Sequence, residues 1–210
     1  TIGGGRAGRD LRWEDVLFRT AVYRAYDLSV SGGTETSNYY TSFSYTNDLG
    51  RSVINGFDRI TGRMNFGQKI GKFIELNTNV NVSNSNQEGF NDTRSTGSNY
   101  FLQSRNLLWG LYWPSDFETG LPWTPRYGSY AYNPVYYNNE WENWSRTQKV
   151  FANETVTIKI LPELNLRSIF SFDNTQTFDH LYYSALHFNG SSFTGSVTEK
   201  STKVIELLSS

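Results

Sequence analysis

Polar and apolar residues alternate along most of this chain with a period of two, in runs of roughly 10 to 14 residues bounded by Gly, Asn, Asp or Pro. Such runs predict extended strands with two unlike faces. Tyr26, Leu28 and Val30 alternate with Asp27, Ser29 and Ser31, and Tyr39, Thr41, Phe43 and Tyr45 alternate with Asn38, Tyr40, Ser42 and Ser44. Ile60, Met64 and Phe66 then oppose Arg59, Thr61, Arg63 and Asn65, and Ile74, Leu76, Val80 and Val82 oppose Glu75, Asn77, Asn79 and Asn81. After a long gap, Val150, Val156, Ile158 and Ile160 face away from Asn153, Thr155, Thr157 and Lys159. Leu164, Leu166, Phe170 and Phe172 face away from Asn165, Arg167 and Asp173, and a weakly patterned last strand is expected over Thr198 to Leu208.

The connections alternate in length. Short turns are expected at Gly32 to Thr36, Gly71 to Phe73 and Leu161 to Glu163, and long ones at Asp48 to Gly56, Gln87 to Arg146 and about Thr175 to Val197. Tight turns at one end and long loops at the other are the habit of an outer-membrane barrel. Alternation alone fits a β-sandwich as well, because there too one face is dry and one wet. Strand length favours the barrel, since soluble strands usually run to about 5–6 residues. Aromatics near the strand ends (Tyr26, Tyr45, Phe57, Phe73) are expected to form interfacial girdles. The fold class expected is all-β, an antiparallel meander of about seven strands forming part of a larger transmembrane β-barrel.

Composition changes that picture only in detail. Of 210 residues, 37% are hydrophobic, which is low for an ordinary globular domain at about 45–50%, and Asn, Ser and Thr together supply 63. A strand that is wet on one side averages to such a figure while keeping a dry stripe. The formal net charge is −1 with no basic run, which argues against nucleic acid as a partner. The absence of Cys removes disulfides, thiolate metal sites and a thiol nucleophile. No apolar run approaches the length of a membrane-spanning helix.

Candidate chemistry is sparse. Gly3, Gly5 and Gly8 meet the spacing of a dinucleotide-binding turn but lack the strand and helix that would frame one, and read as a loop. Asp116 with Glu118, and Glu140 with Glu142, are i, i+2 carboxylates read as solvated loop charges, not a glycosidase pair. His180 and His187, in an expected loop, have no third ligand at metal spacing and read as surface or aromatic-cluster residues. No catalysis, metal or cofactor is expected. The aromatic-rich connection is more suggestive. Trp109, Trp113, Trp123, Tyr127, Trp141 and Trp144 lie there among polar Asp116, Asn138, Asn139 and Glu140, a combination suited to stacking on sugar rings or apolar side chains. These are the candidate substrate-binding residues, although the same aromatics could build the loop's own core or meet a partner chain; a short helix over Tyr100 to Leu111 is also expected. On the wet face, Arg59, Arg63, Asn65, Glu75, Asn77 and Asn79 form a row in which the arginines could pair with the carboxylate across the ladder or hold a body filling the lumen.

The run from Asp10 to about Asn86 resembles the first part of the barrel in SusC/RagA-type TonB-dependent transporters of the Bacteroidota outer membrane. The resemblance is carried by Trp13, Asp15, Phe18 to Ala21, Leu28 to Gly33, Asn38 to Tyr40, Ser42, Tyr45, Gly50, Asp58, Arg59 and Arg63 to Asn65, with looser likeness at Asn133, Pro134 and the strands from Arg146 to Asn174. It implies a wall segment: 1–25 a loop leading into the barrel, 26–86 four strands, 87–146 a long extracellular loop, and 147–210 further strands with one long loop. The plug domain and TonB box of the family are not found in these residues. It further implies an outer-membrane location and uptake of an oligosaccharide or peptide. The implied partners are a SusD-like surface lipoprotein, TonB acting through the missing plug, and outer-membrane lipid. The wet-face row would then face the plug. Two other readings are a soluble carbohydrate-binding β-sandwich and a small complete outer-membrane barrel with a structural or adhesive role.

Overall fold

The computed structural model describes residues 13–89, 126–127, 131–132, 139–187 and 196–209. A five-residue helix, α1 (Trp13–Leu17), precedes β1 (Val22–Gly33), β2 (Ser37–Leu49), β3 (Gly56–Ile70) and β4 (Ile74–Glu88). The two-residue β5 (Arg126–Tyr127) and β6 (Ala131–Tyr132) pair only with each other, and β7 (Trp141–Leu161), β8 (Leu164–Tyr183) and β9 (Ser196–Ser209) follow. The seven long strands form one antiparallel sheet in the order β1-β2-β3-β4-β7-β8-β9. It is a meander without crossovers, as the alternation required.

Register converts the alternation into two continuous faces. Tyr26 pairs with Tyr45 and Tyr45 with Ile60, Met64 with Val80 and Val80 with Ala152, and Ala152 with Phe172 and Phe172 with Leu207, so each strand adds its apolar positions to one belt. That belt is exposed: Leu28 is 69% accessible, Phe43 50%, Leu166 56% and Leu207 77%. Leu17 and Tyr183 are the only buried hydrophobic residues among those described. A sandwich would cover the belt with a second sheet. Here one layer exposes it, so the sandwich reading is set aside. From Ile74 to Val82 the belt spans about 27 Å of extended chain, which at a tilt of about 40° rises about 21 Å, somewhat less than an apolar band of about 25 Å.

The other face is polar and more crowded. Every buried residue within the strands (Thr46, Gly67, Thr155 and Tyr183) lies on it, as expected where a sheet curls toward that side. Short turns after β1, β3 and β7 gather at one end of the sheet and the long connections at the other. In the β3–β4 turn Gly71 holds φ at +60°, a left-handed conformation that other residues adopt only with strain. At the long-loop end, α1 is tied to the β2–β3 connection. Phe18 bridges Ser52, the Val53 amide donates to the Leu17 carbonyl at 3.1 Å, and the Arg19 guanidinium donates to the Gly50 and Asn55 carbonyls at 3.1 and 2.7 Å.

Strands overrun several expected boundaries. β1 begins at Val22, β7 at Trp141, and β8 continues to Tyr183, so Trp141, Trp144 and His180, expected in loops, are strand residues. Their paired backbones, not local hydrophobicity, extend the strands: Trp141 is opposite Tyr183 and Trp144 opposite His180. Phe57 is a second correction. It shares the polar face with its partners Asp48 and Gln87 and so belongs to no lipid-facing girdle, whereas Tyr26 and Tyr45 stack on the apolar face with centroids 6.4 Å apart.

Candidate functional site

The polar face is built from short side chains that tie neighbouring strands together, because Asn, Ser, Thr and Asp placed opposite one another can bond across a ladder. Asp27 accepts from Ser44, Asn153 Nδ2 donates to Ser171 Oγ at 2.7 Å, Ser145 Oγ donates to Asp179 Oδ1 at 2.6 Å, and Lys149 Nζ meets Asp173 Oδ2 at 3.2 Å. Within this face a depression of about 560 Å³ is bordered by Asp27, Tyr40, Ser42, Arg59, Arg63 and Asn81. Arg59 and Arg63 are exposed and have no carboxylate partner among the described residues.

All six wet-face candidates (Arg59, Arg63, Asn65, Glu75, Asn77 and Asn79) lie on this polar face, but not as one cluster. Asn65 is opposite Asn79, whereas Arg63 is opposite Asn81 and Arg59 opposite Ser85. Glu75 stands across from Lys69 near the short turns, about 20 Å of extended chain from the Arg63 level. It ion-pairs with Lys159 at 2.5 Å, so the expected Arg–Glu75 pairing is corrected. Spacing alone showed the shared face; the β4–β7 register, with Glu75 opposite Thr157, decided the partner.

Of the aromatic candidates, Trp109, Trp113 and Trp123 lie outside the described residues, as does the expected helix over Tyr100 to Leu111, and Tyr127 belongs to the β5–β6 ribbon. Trp141 and Trp144 are three apart on an extended strand, which puts them on opposite faces. Trp141 stacks on Tyr183 at 6.3 Å on the polar face, where the Tyr183 ring also meets His187 at 4.6 Å. Burial in this cluster pushes the His187 imidazole down to about 4. Trp144 stacks on His180 at 4.9 Å on the apolar side, with the Arg146 guanidinium 5.2 Å above its ring and Glu142 3.6 Å from His180. Both tryptophans nevertheless border one recess of about 570 Å³, where β4 ends and Val53, Ile54 and Gly89 close in. Glu140 accepts from the Ser184 hydroxyl, while Glu142 sits on β7, so that pair does not act as a unit. Among the described residues no three His, Asp or Glu side chains gather as for a metal.

One residue escaped the pattern. Glu154 stands in the apolar row between Ala152 and Val156, opposite Thr78 and Phe170, and accepts a hydrogen bond from the Thr78 hydroxyl. The signal available was the break in alternation at a position where Val or Ile would be expected.

No protein-family model matches the chain. Among curated proteins it is 32% identical over 94 residues to the TonB-dependent receptor SusC of Bacteroides thetaiotaomicron, covering 45% of this chain and 9% of that protein. It is 28% identical over 79 residues to the TonB-dependent receptor P39 of Formosa agariphila, covering 38% and 8%. In this stretch, sequence and an exposed apolar belt agree. The chain resembles SusC/RagA-type TonB-dependent transporters. The SusC/RagA-type wall is visible in the fold too: a structure of the RagAB peptide transporter superposes with a TM-score of 0.72 at 21% identity, covering 93% of this chain and 22% of that one. The RagAB peptide importer in its closed-closed state gives 0.70 at 22% identity, covering 95% and 23%. The chain thus spans less than a quarter of these relatives. These relatives are named as receptors and transporters, not enzymes, and the place of such a wall is the outer membrane, with the apolar belt against lipid.

Proposed function

We propose that this chain is a stretch of wall from a TonB-dependent outer-membrane transporter that imports a large nutrient, an oligosaccharide or a peptide. The observation that carries the reading is a single-layer sheet with an exposed apolar belt behind and a polar, arginine-bearing face in front, in a chain similar to SusC. Transport here is binding and gating; no bond is made or broken. Arg59 and Arg63 supply free cations to a plug filling the lumen, and Asn65, Glu75, Asn77 and Asn79 extend that polar surface toward the short turns. The aromatics Trp109, Trp113, Trp123, Tyr127, Trp141 and Trp144 grip the ligand at the long-loop end, where a SusD-like lipoprotein closes the pore. The peptide cargo of RagAB and the recess beside Trp141 and Trp144 support a ligand with apolar side chains or sugar faces. The test is uptake of labelled oligosaccharides and peptides by cells expressing the full-length transporter, with TonB intact or disrupted. Accumulation that depends on both proteins is expected. Equal accumulation without TonB would overturn the reading.

A further inference from the structure

We infer that the outward surface just beyond the apolar belt, at the long-loop end of β7, β8 and β9, binds a phosphorylated glycolipid headgroup of the outer leaflet through Arg146 and Lys203. The inference rests on the outer-membrane placement of the belt and is independent of what the transporter carries.

The belt stops abruptly on these strands. On β7 the outward positions pass from Val156, Ala152 and Val150 to Gln148 and Arg146; on β8 from Phe170 and Phe172 to Asn174 and Gln176; on β9 from Leu207 and Ile205 to Lys203. Gln148 pairs with Gln176 and Gln176 with Lys203, so one row of amides and a cation crosses three strands, and Arg146 lies one outward position farther on β7. The two cations are about 12 Å apart at the backbone by strand spacing and rise, within reach of a shared group between their long side chains. The depth is that of headgroups, because the apolar band ends beneath them. The long-loop side faces outward in such barrels.

Charge order supports an anion. Arg146 and Lys203 have no carboxylate partner among the described residues; the outward positions of Glu88, Glu142 and Glu199 lie farther out from the belt, and Glu154 lies within it, bonded to Thr78. Arg146 is held in place over Trp144, itself stacked on His180, so little side-chain freedom remains to be lost on binding. A sugar headgroup suits the row between the cations, because the outward amides of Gln148 and Gln176 can donate to and accept from hydroxyls beside a phosphate.

The experiment uses the purified full-length transporter, stripped of lipid and folded as judged by heat-modifiable mobility. Bound lipid is counted by native mass spectrometry after exposure to bisphosphorylated lipid A, dephosphorylated lipid A or phosphatidylglycerol. The wild type should retain bisphosphorylated lipid A well above the other two. Each cation removed should weaken retention roughly fivefold, so that Arg146→Gln with Lys203→Gln loses about 25-fold, while Lys149→Gln on the polar face loses nothing and Arg146→Lys regains most of the single loss. Equal retention by the folded double variant would overturn the site. Retention of dephosphorylated lipid A or phosphatidylglycerol as strong as that of lipid A would overturn the assignment to a phosphorylated sugar. Uptake measured in parallel keeps failure of this site distinct from failure of the transport reading.

Discussion

Glu154 is an acid within the apolar face. A carboxylate in a lipid-facing position is less penalised than a cation but still unfavourable, and the Thr78 hydroxyl offsets part of that cost. Glu154→Leu in the full-length barrel is therefore expected to raise stability by about 1–2 kcal/mol, read from urea-dependent unfolding in vesicles. Thr78→Val should lower it by about 1–3 kcal/mol, because the carboxylate then loses its donor. A double variant no less stable than Glu154→Leu alone would confirm the coupling; additive effects would refute it. His187 is the second informative residue. Its folded pKa of about 4 lies below the usual 6.5, so between these values the unfolded chain binds more protons than the folded one. The stability it contributes is complete above about 6.5 and drains away as pH falls toward 4. Hydrogen-exchange protection around Tyr183 should decline over that window and become flat in His187→Phe.

At the scale of elements, hairpin ends are where sequence and backbone constrain each other. Gly71 at φ +60° closes the β3–β4 turn with open space around it, so a side chain there costs backbone strain, not a clash. Gly71→Val should destabilise by about 1–3 kcal/mol, while Gly71→Asn, which tolerates this conformation better, should recover part of the loss; equal losses in urea titrations would contradict the strain account. The long β7–β8 hairpin has the opposite problem. Its upper half rises beyond the belt and is steadied by aromatic stacks, Trp141 on Tyr183 and Trp144 on His180. Trp141→Ala should loosen that half by about 1 kcal/mol without altering the belt. If Trp141 grips ligand as well, the same substitution and Trp123→Ala should each weaken ligand binding in titration; unchanged affinity in both would remove stacking from the proposed function.

At the scale of the whole molecule, the two faces suit two different surroundings, apolar behind and polar in front. Among the described residues β1 and β9 are the edges of the sheet and leave backbone groups unpaired, which a bilayer does not tolerate. The wall therefore requires neighbouring strands to span a membrane. The plug contact proposed for Arg59 and Arg63 predicts that reversing both charges in the complete transporter raises passive permeability to small solutes, measured by dye influx. Unaltered influx would remove these arginines from plug retention.

Alternation from Tyr26 to Phe172 by itself determined the strands, their two faces and the alternation of short and long connections, because a side-chain period of two leaves no other way to segregate Leu28, Phe43 and Val80 from Arg63 and Asn79. It could not say whether the apolar side was covered; a single sheet with Leu207 and Leu28 exposed decided that. It could not pair Glu75, since strand partners depend on where each turn begins, and the register chose Lys159 over Arg63. Nor could it extend β7 back to Trp141 or β8 out to His180, where the period of two fades and cross-strand backbone bonds with the Trp141–Tyr183 and Trp144–His180 stacks continue the ladder. Those bonds put Trp141 and Trp144 on opposite faces of the strand, and only the folded sheet brings both to the rim of one recess.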